Sequence, residues 1–424
     1  MTQQISDGTQ GTATAEFARG WRTVLMAALG VGLGVSGLLT YNAGLFARDL
    51  ASEIGLSRTA FGAAFFGSTL AMAAAMPLVG RLVDRLGPRV VAAIGALMLS
   101  AGFLALSQVR SVAAYALIVV LIGPLAAGST PVPYTRAVSA AFQRARGLAL
   151  GLTQVGIGLA AALVPPVIAL VVARQGWQHG FVALAGLAAL GVVPALLGLP
   201  GRGKPGAKPE GEGYPAVCAS SVYRLQYAAF CAMAFAFAGM LPHFVPMLRE
   251  AGMPVERAGA LAGLIGASVI VTRIVVGWLA DRIEPAWLGS ASCLICASGC
   301  LLLALGGPAM APVGALALGA AMGAEADLIG ILTARYFPIS AYSRAYAAQY
   351  GGFMVAAGLS PLWMGQLADW SGGNYAPALI AASALLVLPA VLFAMLPGRA
   401  ARRVSELPVS LTSRAGPSDR NFLA

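Results

Sequence analysis

Residues 80–90 read GRLVDRLGPRV, and this short stretch decides the fold. It lies between two long apolar segments and carries one acid, Asp84, among three arginines, Arg81, Arg85 and Arg89. Gly80 and Gly87 permit a tight turn with close helix approach, Asp84 is placed to cap a helix end, and the arginines are expected to face anionic headgroups. Further on, residues 277–282 read GWLADR at the end of another apolar segment, so Asp281 and Arg282 repeat the places of Asp84 and Arg85.

The composition around these stretches excludes a water-soluble globule. Hydrophobic residues make up 58% of the 424 and charged residues 10%, against roughly 25% charged in soluble proteins. Mean hydropathy is +0.80. The 53 glycines suit close helix packing in lipid. A formal charge of +11 suggests nucleic acid at first sight, but the basic residues sit on loops and tails, so no nucleic-acid partner is expected. Residues 1–20 are polar, lack the pattern of a cleaved signal, and read as a disordered tail. Of the five cysteines, Cys293 and Cys296 form a C-x-x-C, but no second pair completes a zinc site. No metal, cofactor or catalytic constellation is visible, and an enzyme is not expected.

Apolar runs place twelve candidate spans at 21–46, 58–79, 89–107, 112–136, 146–173, 179–199, 223–248, 256–280, 286–305, 311–336, 344–368 and 375–397. The Gly-, Pro- and charge-rich stretch 200–222 splits them into two sixes and reads as a cytoplasmic linker between bundles at 21–199 and 223–397, with a second tail at 398–424. Basic residues set the orientation. Putting both termini and the even-numbered loops in the cytoplasm collects twenty of the 27 basic residues there and six outside, with Arg273 left over. The expectation is an all-α, multi-pass protein of the bacterial inner membrane, two pseudo-symmetric six-helix bundles with cytoplasmic termini, acting as a monomer among lipid. Trp21, Trp177, Trp287 and Trp370 fall at predicted interfaces as anchors.

Ionisable groups within spans are expensive and carry the functional hypotheses. Arg273 lies eight residues before Asp281, about 12 Å deep at 1.5 Å per residue. Its planar fork suits a substrate carboxylate, the competing reading being a structural ion pair. Glu325 and Asp327, ten and eight residues before Arg335, lie at similar depth on the tenth span. Two positions apart they point to nearly opposite faces, so both cannot line one cavity equally. Either is a candidate proton carrier, with Glu325 ranked first. His243 is a further candidate for substrate or proton and Gln154 for substrate, and Tyr350 is a weaker substrate candidate whose alternative is helix–helix contact.

The G-x-x-x-D-R-x-G-x-R pattern of Gly80, Asp84, Arg85, Gly87 and Arg89 resembles the loop signature of the major facilitator superfamily. Within it, the chain resembles the bacterial relatives of monocarboxylate porters and the oxalate–formate antiporter branch. The residues that carry this are Trp21-Arg22 and residues 53–58 (EIGLSR), residues 146–151 (RGLALG), His243 with Val245-Pro246, and Arg273-x3-Gly277-x3-Asp281. The resemblance implies that Arg273 binds the substrate carboxylate and that His243 lies near substrate. Animal members place an aspartate one turn before the arginine, where this chain has Val269, so proton coupling shifts to Glu325, Asp327 or His243. The GPxxGG motif of drug–proton antiporters is missing from the fifth span, which reads Gly156-Ile157-Gly158 and then Pro165-Pro166. The expected function is proton-coupled uptake of a small organic carboxylate by alternating access; the alternative is a drug or metabolite exporter of the same superfamily.

Overall fold

The computed structural model describes residues 13–201, 214–253 and 255–398, and among them there is no strand. The first column comprises α1 (Ala13–Gly32), α2 (Val35–Asn42) and the 3-10 turn Ala43–Phe46, followed by short α3 (Ala47–Ile54). The second and third are α4 (Arg58–Leu86) and α5 (Pro88–Leu106). The fourth joins α6 (Val112–Leu125) to α7 (Pro131–Ala141) through a 3-10 turn. The fifth is α8 (Arg146–Gln175), and α9 (Trp177–Leu190) with α10 (Val192–Gly198) makes the sixth. The second half opens with short α11 (Tyr214–Ala219) and continues with α12 (Ser221–Phe237) and α13 (Met240–Glu250) as one column. Then come α14 (Val255–Ala280), α15 (Pro285–Gly306), α16 (Ala311–Tyr336), α17 (Ile339–Trp370) and α18 (Ala376–Ala394).

Ten segments are long and apolar enough to cross a membrane. One of these, Pro285–Tyr336, holds both α15 and α16. The 32-residue α17 adds a column richer in Tyr, Gln and Ser, making twelve among the described residues. The outer faces show why lipid is the solvent: Leu197, Leu305 and Leu163 are 76%, 73% and 65% exposed. Such a surface would aggregate in water and has no such liability in hydrocarbon.

Local chemistry fixes the corners. Gly87 turns at φ 88, a conformation that an L side chain rarely adopts, and Pro88 then opens α5. The Oγ atoms of Ser57, Ser111 and Ser220 accept from the N–H groups of Ala60, Ala114 and Tyr223, each cap contributing about 1 kcal/mol. The first and seventh columns, equivalent in the two halves, both break in mid-course. Ser129 Oγ accepts from Val35 N (3.1 Å) beside the first break, and Ser360 Oγ accepts from Gly239 N (2.7 Å) at the second.

Two seams join the halves, α8 on α14 and α4 on α17. At the end of the molecule that carries residues 80–90, here the basic end, they are very tight. A Cβ on Gly147 would lie 2.5 Å from the Gly277 carbonyl oxygen, and one on Gly80 would lie 2.8 Å from that of Ser343. Further along, the same helices meet through side chains, an added Cβ on Gly158 or Gly358 lying 3.1 Å from Ile270 or Phe66, and around Gly62 of α4, and Gly263 and Gly266 of α14, there is nothing within 4 Å of an added Cβ. The protein is therefore closed at its basic end. Gly277→Leu is expected to hold that end apart, because the new side chain meets backbone that cannot yield. Ser343, fully buried at the closed seam, reports this: maleimide labelling of Ser343→Cys should rise several-fold in the Gly277→Leu background. Unchanged labelling would show that the seam does not depend on Gly277.

Several sequence expectations need correction. The polar tail ends before residue 20: α1 begins at Ala13, because Glu16 is anchored by N–H groups of Gln143, Arg144 and Ala145 (3.2, 3.0 and 3.1 Å). Residues 1–12 lie outside the described residues. Most of the 80–90 stretch is helix rather than loop, since α4 continues to Leu86 and the turn is Gly87 alone. Asp84 thus sits within its own helix instead of capping it. Arg89 donates from Nε to the Leu199 carbonyl (2.8 Å), closing the end of the sixth column rather than facing headgroups. The linker 200–222 includes α11, whose Val217 is buried with Tyr223 and Phe337; residues 202–213 lie outside the described residues. Of the tail 398–424, only residue 398 is described. Trp177 is no interfacial anchor: it is buried, edge-on to Phe181 at 6.0 Å, whereas Trp21, Trp287 and Trp370 are exposed.

Candidate functional site

Between the halves, above the closed seams, lies a cavity of about 300 Å³ walled by α2, α4, α7, α8, α13, α14, α16 and α17. Its lining is mainly apolar, with Phe65, Met72, Met322, Phe353 and Met354, and it holds a few polar groups: Ser36, Thr40, Ser68, Thr69, Gln154, Tyr350, Arg273 and Glu325. A somewhat larger cavity of about 360 Å³ lies at the far end of the second half beside Glu250 and Tyr375. Chemistry favours the first, because it sets a buried guanidinium and a carboxyl of the second half opposite polar side chains of the first, Ser36, Thr40, Ser68, Thr69 and Gln154.

Arg273 is 7% exposed and Asp327 1%. The guanidinium donates from Nη1 to Asp327 Oδ1 at 3.0 Å, an ion pair between α14 and α16. The pair is single-pronged: Arg273 Nε and Asp327 Oδ2 are buried without a partner. One arm of the fork is therefore held while another hydrogen-bonding edge remains unused. Two residues earlier on α16, Glu325 lines the cavity with Oε2 buried and unpartnered. The helical offset sends one acid into the cavity and the other behind it against Arg273.

At the basic end the repeated aspartates act across the two seams in related ways. Asp281 accepts from the backbone N–H groups of Gly147 (2.7 Å) and Leu148 (3.0 Å), the first turn of α8 in the opposite half. A carboxylate at a helix N-terminus also complements the helix dipole. Burial pushes the Asp281 carboxyl above its ordinary range, while those two N–H groups pull it back. Asp84 accepts instead from Arg344 Nε at 2.8 Å, in the first turns of α17. Arg146 adds a third clasp, donating from Nη1 to the Ala334 carbonyl (3.0 Å) at the end of α16. Arg282 folds back over the Trp278 ring at 3.7 Å, and Arg85 is exposed.

Of the residues singled out in the sequence, Arg273, Glu325, Gln154 and Tyr350 come together at the cavity, with Asp327 directly behind Arg273. His243 does not join them. Its Nε2 faces the Pro361 carbonyl and its Nδ1 the Tyr375 hydroxyl, both at 3.0 Å. A carbonyl only accepts, so the neutral ring carries its proton on Nε2 and Nδ1 receives the phenol. Gly365 on α17 makes room for the ring, since a Cβ there would lie 3.1 Å from His243 Cε1. Sequence reading missed Ser68, Thr69 and the methionines, because small and apolar residues look alike on cavity and lipid faces. It also missed Glu16, whose partners lie more than a hundred residues away.

Known proteins resemble this chain over long stretches. Residues 24–326 match the sequence profile of the Major Facilitator Superfamily. The riboflavin transporter RibJ of Trypanosoma cruzi is 34% identical over 28% of this chain and 26% of its own length. The oxalate:formate antiporter of Oxalobacter formigenes is 31% identical over 40% of each. The chain thus matches under half the length of these curated relatives. In three dimensions it resembles the human organic anion transporter MFSD10, with a TM-score of 0.69 and 17% identity, covering 88% of this chain and 99% of that one. At that identity the likeness speaks for the fold alone.

Proposed function

Because this chain belongs to the major facilitator superfamily, we propose that it is a proton-coupled importer of a small organic carboxylate working by alternating access. The observation that carries the reading is Arg273: a buried guanidinium at the cavity wall, held by one prong and offering another. A carboxylate arriving from the open end completes the fork, since charge-assisted bonds in a poorly solvated cavity are strong. Arg273, Asp327 and Glu325 together carry one positive and two negative formal charges. Adding a substrate anion deepens that imbalance, so binding favours proton uptake by one of the acids, with Glu325 in reach of the cavity. The likeness to the oxalate:formate antiporter supports an organic anion.

In this reading the basic end faces the cytoplasm, the bundles 21–199 and 223–397 rock about the substrate, and the protein resides in a bacterial inner membrane. The clasps of Asp84 and Asp281 hold the outward-open state. Asp84→Asn is then expected to leave equilibrium substrate affinity within about threefold, because it biases states without touching substrate, and to change the transport rate. A large affinity loss in protein locked outward would count against that role.

One observation favours a second reading. Glu325 presents an unpartnered carboxylate to the cavity while Asp327 already neutralises Arg273, which suits a cationic amine exported against protons. A panel of labelled carboxylates and organic amines in proteoliposomes, with and without an inward proton gradient, separates the two. Carboxylate accumulation driven by acid outside supports import; amine movement opposite to the proton supports export.

A further inference from the structure

Three buried glutamines distinguish structural from ligand-reading amides in this molecule. Gln226 on α12 and Gln349 on α17 are fully buried and bonded to each other, Nε2 to Oε1 at 3.0 Å, with Thr333 Oγ1 at 3.3 Å. That is helix–helix contact. Gln154 on α8 is equally buried, at 1% exposure, yet neither its Nε2 nor its Oε1 has a partner. It lines the central cavity. Its height is fixed by its neighbours: one turn before it, a Cβ on Gly151 would meet the Arg273 carbonyl at 2.6 Å, and one turn after it, a Cβ on Gly158 would meet Ile270 at 3.1 Å. Gln154 therefore sits in the cavity wall beside residues 270–273 of α14, within a turn of the arginine.

A carboxamide offers one donor and one acceptor side by side. A simple carboxylate can only accept, so it leaves the Gln154 oxygen unsatisfied. A cyclic amide or imide presents N–H beside C=O and satisfies both at once, as Gln does with the paired edge of adenine. Sites built this way reject ligands that lack the edge, because the buried polar group is then stranded. The same cavity carries flat walls: Tyr350 and Phe353 are stacked with centroids 6.1 Å apart and an interplanar angle of 12°.

We infer that Gln154 is a specificity-determining residue that reads a donor–acceptor edge on the substrate, whose class is a planar heteroaromatic acid bearing an amide, lactam or imide. This rests on the carboxylate reading for the acid group alone; the edge is independent of it. Three probes keep the two apart: benzoate has the acid only, uracil the imide edge only, and orotate both on one ring. Binding is measured by calorimetry on the full chain in nanodiscs, for the parent, Gln154→Met and Gln154→Glu, with melting curves to confirm folding. The parent should bind orotate at least tenfold more tightly than benzoate. Gln154→Met should weaken orotate and uracil tenfold or more while benzoate stays within threefold. Gln154→Glu, which keeps the shape and loses the amide donor, should fall on the same side. If uracil and orotate respond while benzoate never binds, the edge stands and the carboxylate reading falls. Equal losses for benzoate and orotate, no preference in the parent, or binding of none of the three overturns the inference.

Discussion

Arg273→Lys is expected to weaken carboxylate binding about 100-fold or more, although the charge is kept. The structure shows why shape should matter more than charge. Nη1 is committed to Asp327 while Nε stays unpartnered, so one planar group serves a fixed acid and has a hydrogen bond left for a ligand. An ammonium is a compact point charge on a flexible four-carbon stem and cannot present the same planar fork. Hydrogen bonds to charged groups contribute roughly 1.5–3 kcal/mol each, and 1.4 kcal/mol is a factor of ten. Losing one or two therefore accounts for the expected factor. Arg273→Ala is the poorer test, since stranding Asp327 as a buried unpaired charge costs about 3–5 kcal/mol in stability. The measurement is the Kd of a carboxylate probe for folded Arg273→Lys protein. Binding as tight as the parent's would make Arg273 a structural ion pair and no more.

Much of this fold was legible because its physical constraints are local. A span needs enough apolar residues, a corner needs Gly87 and Pro88, and a charge at mid-depth needs a reason, so the helical columns and Arg273 could be read from the chain. What escaped depends on partners distant in sequence. Asp84 reads as a helix cap until Arg344, 260 positions on, is seen 2.8 Å away. Glu16 reads as part of a polar tail until it meets the backbone of residues 143–145. His243 shows the converse, because its placement by family likeness gave no hint of Pro361 and Tyr375. Glu325 and Asp327 lie between: helical periodicity separated their faces, and only the fold revealed which face meets Arg273.

That separation gives the two acids different expected phenotypes. Glu325→Gln imitates a permanently protonated acid in a group whose Oε2 is unpartnered and which makes no ion pair among the described residues. The variant should fold, bind substrate and sustain counterflow at near-parental rates, yet lose accumulation driven by a pH gradient, because the proton has nowhere to ride. Asp327→Asn removes the only salt-bridge partner of Arg273 among the described residues. It leaves a buried guanidinium facing an amide, so lower melting temperature and weakened binding should accompany any loss of coupling. Breaking a buried pair from one side is strongly destabilising, which gives this variant a signature that Glu325→Gln lacks. Reconstituted single variants assayed for melting, counterflow and gradient-driven uptake distinguish the two. If Glu325→Gln still accumulates substrate fully while Asp327→Asn, folded and binding, does not, the proton travels on Asp327. If both accumulate fully, coupling through these acids is wrong and the proton travels on another group.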